Sequence, residues 1–492
     1  MDLGRISRVG QLHHGVLGLG GTFAESFALL ALALGSATGT SVVAAFAGAS
    51  VPLVYVLGGI TSLCLAAVII RFTRRMASAG GLYTFTARGL GPSSGFMGGW
   101  LYAMGFAAGI SFVMVISALY VSQVFQAHLH VGLHWFPAFL IEMALLTVLA
   151  LIDIRISAKT QLIAAALGAT AIIVGMLITL GKGGAEGFTF TSLSPGHIPS
   201  TSGFFHGLVF AFGAFIGFEA AAAMGEESKN PLRAIPRAVL GAVLVGLVFY
   251  VFVTFALSVG FGVHHVGDWA KNPTAYDTIV TKYAGGGLAT VVDIAVALDA
   301  FVASLAATVL VSRTMFAMGR EGGLPRSFAW THPRFRTPWV GILVSIVLTL
   351  VLVSWLARGV YDPYTYFGLM ATAATFWLLG TYILVAAAGM VYFARNRNLA
   401  GATYNPLFDL IAPGIAIAIC ALTIYYSIEP QPPAPFNHAQ WIALGWFLLG
   451  LVALLFLRLR APAKVAAFGS TLAEESVDKP VPLDAEIAPA QT

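Results

Sequence analysis

Charge is what this sequence is short of. Asp, Glu, Lys and Arg together make up 10% of its 492 residues, while 58% are hydrophobic and the mean hydropathy is +0.86. A soluble globular chain carries roughly a quarter charged residues, so this one cannot cover the surfaces of the domains its length would otherwise build. Cysteine is nearly absent as well. Cys64 and Cys420 both fall inside apolar runs, which excludes a disulfide framework. The spans and long loops hold no zinc-ligand motif, nucleophile elbow or phosphate loop, so an enzymatic reading has no residues to carry it. The first apolar run is too long for a cleavable signal peptide and lacks the small-residue cleavage pattern.

What the sequence has instead is a succession of long apolar runs. About 20 such residues cross a bilayer, and twelve candidates stand at 20–47, 52–70, 96–125, 136–153, 158–180, 203–225, 236–260, 288–318, 338–357, 364–393, 407–428 and 438–457. With the N-terminus in the cytoplasm, Arg71, Arg74, Arg75, Arg88, Arg320, Arg326, Arg395 and most other basic residues fall in or beside inner loops. Only Lys182, Lys271, Lys282 and Arg358 fall outside. The net charge of +5 is therefore a topology signal for a multi-pass cell-membrane protein with both termini cytoplasmic, and nucleic acid is not an expected partner. Residues 1–19 and the Ala-, Pro- and Glu-rich 460–492 are expected to be cytoplasmic ends, the latter unordered.

Two spans carry glycine where water cannot repair a weakened helix. Gly35, Ser36, Thr38 and Gly39 crowd the middle of the first span, and Gly213, Gly217 and Glu219 interrupt the sixth. Glycine costs about 1 kcal/mol against alanine inside a helix. Close packing of small residues explains either span alone. Together they open two successive five-span blocks, 20–180 and 203–393, and corresponding interruptions in two halves point to an inverted-repeat transporter with a midplane site. Spans eleven and twelve (407–457) are then an appendage.

The sixth span and its loop, "FAFGAFIGFEAAAAMGEESKNPLRAIPRA" (210–238), resemble the same region of amino acid permeases in the amino acid–polyamine–organocation superfamily. Phe215, Gly217, Phe218, Glu219, Glu226, Glu227, Asn230, Pro231, Arg233, Ile235, Pro236, Arg237 and Ala238 carry the match. "ASAGGLYTFTARGLGP" (77–92) and "SRTMFAMGREGGLP" (312–325) are similar to the family's loop after span two and end of span eight. The resemblance implies an all-α membrane protein of twelve helices in a five-plus-five, LeuT-like inverted repeat. Spans one and six are broken, and a small amino acid or amine passes between them by alternating access.

A broken helix bares N–H groups at one end and carbonyls at the other, which suits a zwitterion. Carboxylate capture is accordingly expected at the backbone of Gly35, Ser36, Ala37 and Thr38. Phe212, Gly213, Ala214 and Phe215 are expected to take the amino group and shape the pocket, with Phe210 or Phe212 as gate. The family's arginine-binding members often have a bulky aromatic gate where Gly213 stands, and their first span usually reads Gly-Ser-Gly. Glu219 is either a proton-sensitive gate or a structural cap. Asp299, an acid at mid-depth of span eight, has four readings: substrate partner, Na⁺ ligand, proton carrier, or hydrogen-bond partner of a neighbouring helix.

No cofactor is expected beyond a coupling ion. Ser304 and Thr308 offer hydroxyls for Na⁺ of the kind sodium-coupled relatives use; H⁺ on Asp299 or Glu219 is the alternative. Gly168 stands where proton-type relatives often place a lysine. Tyr102, Thr372 and Thr375 are candidates for the pathway wall, and Glu25 is expected near the inner edge of span one, neutralised by water or Arg75. His128, His130 and His134 have metal-like spacing but no fourth ligand. The rival transport reading is a polyamine or organocation carrier with Asp299 and Glu219 as paired anions. The pair of broken helices favours an occluding carrier over a passive channel, and a sensor that keeps the fold without transport is the further alternative.

Overall fold

The computed structural model describes residues 10–152, 154–272, 274–397, 404–472 and 474–475. The apolar runs become helices because only a helix satisfies its own backbone where water is absent. α1 (Leu19–Leu29), α2 (Leu32–Leu34) and α3 (Thr40–Ala47) follow one interrupted path, with a π turn at Gly35–Gly39. α4 (Val51–Thr73) and the short strand β1 (Met76–Ala77) lead to α5 (Leu82–Leu90). α6 (Pro92–Leu129), α7 (Trp135–Leu151) and α8 (Ile154–Gly181) complete the first half. The second half opens with α9 (Thr201–Gly213), which breaks off before a 3₁₀ turn at Ala220–Met224, and continues as α10 (Pro231–Phe261). Two short helices, α11 (Val266–Ala270) and α12 (Ala275–Ala284), precede α13 (Gly286–Glu321), α14 (Trp339–Leu356) and α15 (Pro363–Arg395). α16 (Ala412–Ile428), α17 (Ala439–Arg460), α18 (Pro462–Ala466) and the strand β2 (Glu474–Glu475) follow.

Helix starts are written locally. Proline opens α6, α10 and α15, where its missing N–H costs nothing. Asp362 caps α15 by accepting from the N–H groups of Tyr364 and Thr365 at 3.1 and 3.0 Å.

Among the described residues nine helical stretches are long and apolar enough to cross a membrane. Two of the twelve expected spans run together in the first, Leu19–Thr73, because only a 3₁₀ turn at Gly48–Ser50 separates them. α7 is apolar but 17 residues long, and the expected sixth span is interrupted at Gly213. Burial ranks the rest. The most apolar window of α13 is 89% buried and that of α17 only 17%, so α13 is the central post and α17 is peripheral.

The end of the molecule that carries Arg74, Arg313 and Arg320 is tied shut. Arg313 forms a bidentate ion pair with Glu227 at 2.5 and 2.7 Å, and Arg320 meets Glu226 at 2.6 Å. Residues 10–18 thread into the same region. Gly15 and Leu17 donate to the carbonyls of Glu226 and Glu227, and Lys229 donates back to Leu17.

Residues 461–472 and 474–475 correct the expectation of an unordered tail from 460. Val465 and Phe468 are buried against Tyr83, Phe96 and Met318. Glu321 accepts from the N–H groups of Gly469 and Thr471 at 2.6 and 2.8 Å, and β2 pairs antiparallel with β1. The composition missed this because the partners that hold the segment belong to α5 and α13. Residues 1–9 and 476–492 lie outside the described residues.

At the opposite end, Glu186 binds His264 and His265 at 3.0 and 3.1 Å, joining the loop after α8 to the loop after α10. The hydrogen bond from His264, seconded by His265, holds the Glu186 carboxyl below the usual carboxylate range.

Candidate functional site

The first interruption falls at Leu30–Ala31. The N–H groups of Leu30 and Ala31 wind back onto Ser26 and Ala28, and Ala31 then takes the left-handed conformation at φ 46°. A non-glycine residue there costs on the order of 1–3 kcal/mol and persists only when its surroundings impose it. Two side chains impose it. Asp299 Oδ2 accepts from the N–H groups of Ala33 and Leu34 at 2.8 and 3.0 Å, capping the restarted helix. The Tyr250 hydroxyl donates to the Leu30 carbonyl at 2.7 Å, at the other side of the break.

The glycines that marked this span serve a different purpose. A Cβ on Gly35 would come within 2.6 Å of the Tyr250 hydroxyl, so glycine admits that tyrosine. Gly35–Gly39 stay on the helical path as the π turn, and the Gly35 N–H is taken by the Ala31 carbonyl at 2.8 Å. The Ser36 and Thr38 hydroxyls donate to the carbonyls of Leu32 and Leu34. The bared N–H groups of span one thus belong to residues just before Gly35–Thr38.

The second interruption runs from Gly213 to Ala220. Gly217 has φ 109°, and its N–H donates to Glu219 Oε2 at 3.1 Å. Glu219 Oε1 accepts from Tyr102 of α6 at 3.0 Å and from Tyr382 of α15 at 2.7 Å. The two breaks touch: a Cβ on Gly217 would lie 2.6 Å from Leu29 Cγ, and the Ala221 N–H reaches Ser26 Oγ at 2.9 Å.

A cavity of about 150 Å³ opens beside this junction. Of the expected residues, Gly35, Thr38, Gly213, Ala214 and Ser304 line it. Ser36, Ala37, Phe212, Phe215, Glu219, Asp299 and Thr308 are buried behind the wall. Phe212 packs edge-on against Tyr382, and Phe215 against Tyr250. Thr308 bonds back to the Ser304 carbonyl, and Ser304 to that of Ala300. Thr375 lines the cavity, as does Phe210.

Sequence reasoning missed the wall contributed by α6, where Gly105, Phe106 and Gly109 face the cavity. The spacing of Gly105 and Gly109, one helical turn apart, was the available signal. A second cavity of about 460 Å³ shares Thr38, Val209, Phe210 and Phe367 with the first and extends to His206, Lys271 and Phe436. The path from the cavity therefore leads away from the tied basic end, past Phe210 and Phe367.

Glu25 is not where Arg75 can neutralise it. Arg75 lies over the Phe393 ring, 5.9 Å from its centroid, whereas Glu25 is fully buried on α1 and faces Gln161 of α8 and Arg313 of α13. His134 caps α7, accepting from the Phe136 N–H.

The family model for amino acid permeases matches residues 27–465. The chain is 25% identical over 458 residues to the branched-chain amino acid permease BcaP of Bacillus subtilis, covering 87% of this chain and 91% of that one. It is 27% identical over 318 residues to the low-affinity putrescine importer PlaP of Escherichia coli, 62% of this chain and 67% of the other. Among solved structures it superposes on Mhp1, a nucleobase–cation symporter in a closed, bromovinylhydantoin-bound conformation. The TM-score is 0.55 at 15% identity, over 89% of this chain and 99% of that one, a likeness of fold.

Proposed function

The chain belongs to the amino acid permease family and is a membrane transporter, and on that premise we propose that it carries α-amino acids with apolar side chains by alternating access. The chemistry of the cavity wall carries this reading. Its described side chains are apolar or bear a hydroxyl, and none ionises. A diamine needs carboxylates in that wall. The two that the polyamine reading requires are engaged elsewhere, Asp299 on the N–H groups of Ala33 and Leu34 and Glu219 on two tyrosines and Gly217.

A zwitterion asks less of the wall. Thr38, Ser304 and Thr375 each spend their proton on a carbonyl of their own helix, so their lone pairs are left to an ammonium. The carboxylate is placed at the Leu34–Gly35 part of the wall, where the N–H groups of the restarted helix are already held by Asp299 and Ala31. Asp299 and Glu219 act as the posts that keep the two breaks open to substrate. Coupling through Na⁺ at Ser304 and Thr308 is the weaker alternative, since Ser304 lines the cavity and Thr308 is buried behind its wall.

We read twelve crossings in a five-plus-five inverted repeat. The stretch Leu19–Thr73 counts as two, and α7 and the interrupted 201–224 as one each. The basic end, with both chain termini, lies in the cytoplasm by the excess of arginine there.

The test is a thermal-shift screen of the detergent-solubilised protein with leucine, isoleucine, leucinamide and putrescine, with and without Na⁺. A ligand at a hundred times its Kd stabilises by about 2.7 kcal/mol. Leucine or isoleucine is expected to raise Tm and leucinamide to do nothing. Stabilisation by putrescine alone would replace this reading with the organocation one.

A further inference from the structure

Three fully buried carboxylates flank the two breaks, and the fold treats them unequally. Glu219 accepts from two tyrosine hydroxyls and the Gly217 N–H, and Asp299 from two backbone N–H groups. Among the described residues Glu25 has no donor: both of its oxygens are buried without a hydrogen-bond partner. An ionised carboxylate in that condition loses its hydration and receives no donor in return, the costliest arrangement a buried acid can have.

Its surroundings point to a proton. Gln161 of α8 lies beside Glu25; its amide gives one N–H to Ser157 Oγ at 3.1 Å, and its Oε1 is a second buried acceptor without a partner. A proton on Glu25 turns one of its two unpartnered oxygens into a donor, which an unpartnered acceptor nearby can take. The charged groups facing Glu25 are Arg313 of α13 and Glu227 of the segment after Met224. Arg313 gives its Nε and Nη2 to Glu227 and one N–H of Nη1 to the Val309 carbonyl, and Glu25 receives no hydrogen bond from it. α10 brings Gly241 against Phe23 of α1 and Gly246 against Leu30.

We propose that Glu25 is the proton-binding site of this transporter, loaded as Glu25 O–H···Oε1 Gln161 while the basic end is closed and emptied when that end opens. The inference rests on the transport reading above. Glu25 lies one turn, about 6 Å along the axis, from Leu29 on the cavity floor, so it sits between the cavity and the tied end. A proton arriving from the open path binds the Glu25 carboxylate. Opening of the basic end separates Glu227 from Arg313, and the freed guanidinium then stabilises the Glu25 carboxylate while the proton passes to water on that side. No covalent bond changes other than the O–H. Substrate and proton move in the same direction.

The experiment uses the full chain in proteoliposomes with radiolabelled leucine. Counterflow by the wild type comes first; its absence would mean that leucine is not carried, a failure of the substrate reading and not of this one. Glu25→Gln keeps the shape and donates its own N–H to Gln161, so it is expected to melt like the wild type and to retain counterflow. It is expected to lose accumulation driven by an imposed proton gradient and the pH dependence of counterflow. The exchanged pair Glu25→Gln/Gln161→Glu restores an acid facing an amide and is expected to recover gradient-driven accumulation. Accumulation undiminished in Glu25→Gln would overturn the proposal. So would a lowered melting point with loss of counterflow, which is the mark of a structural acid.

Discussion

Gly213 and Gly217 stand four residues apart in one apolar run and answer to different constraints. Gly217 has φ 109° and lies where a Cβ would meet Leu29 at 2.6 Å, so both its backbone and its space demand glycine. Gly213 ends α9 with an ordinary helical neighbourhood, and a Cβ there would find only Thr375 Oγ1 at 3.7 Å. Gly217→Ala is therefore expected to destabilise by roughly 2 kcal/mol or more through strain and overlap, read as a lower Tm and lost transport. Gly213→Ala is expected to leave Tm unchanged or slightly raised and to alter the KM for leucine by narrowing the cavity. Equal losses of Tm in both variants would contradict this division. Both glycines were visible in the sequence as one interruption, because glycine marks a site of need without saying whether the need is conformation or room.

At the scale of elements, the segment 461–475 shows how a weakly apolar stretch gains a fixed place. Val465 and Phe468 fill a groove beside Tyr83 and Phe96, Arg88 donates to the Gly469 carbonyl at 2.9 Å, and Glu321 takes two backbone N–H groups. Burying a side chain such as valine or phenylalanine contributes roughly 1.5–3 kcal/mol. Truncation after Arg460 is thus expected to lower Tm and to raise hydrogen exchange in α5, which loses its cover. An unchanged exchange pattern in α5 would mean that the segment contributes nothing to closure of the basic end. The interrupted path of span one is the second instructive element. Glycines at 35 and 39 marked the π turn of that span, and the break at Leu30–Ala31, which contains neither glycine nor proline, lies just before it.

Over the whole molecule, one end is tied and the other leads into the cavity. The Arg313–Glu227 pair is the most buried of the ties, with side-chain exposures of 1% and 2%. Removing one partner of such a pair costs about 3–5 kcal/mol because the other charge is left unpaired. Glu227→Gln is expected to shift the population toward opening at the basic end. A cysteine introduced at Ala222, which is 1% exposed, with Cys64 and Cys420 replaced by serine, reports it. Its reaction with an impermeant maleimide from the basic side is expected to quicken on the order of tenfold, the equivalent of about 1.4 kcal/mol. No change in rate would show that the pair does not hold that end closed.

Class, helical composition and the family were legible in the residues themselves, because hydropathy and the motif after span six are written contiguously along the chain. So was the presence of interruptions in spans one and six. Their geometry was not. The break of span one is held by Asp299 from 265 residues away and by Tyr250 from 220. The wall of α6, the docking of 461–475 and the isolation of Glu25 likewise depend on which distant groups fold brings within hydrogen-bonding reach. Local sequence determines where a helix is weak. Only the tertiary structure decides which donor or acceptor stands opposite the gap, and with it which acids are satisfied and which are left to bind a proton.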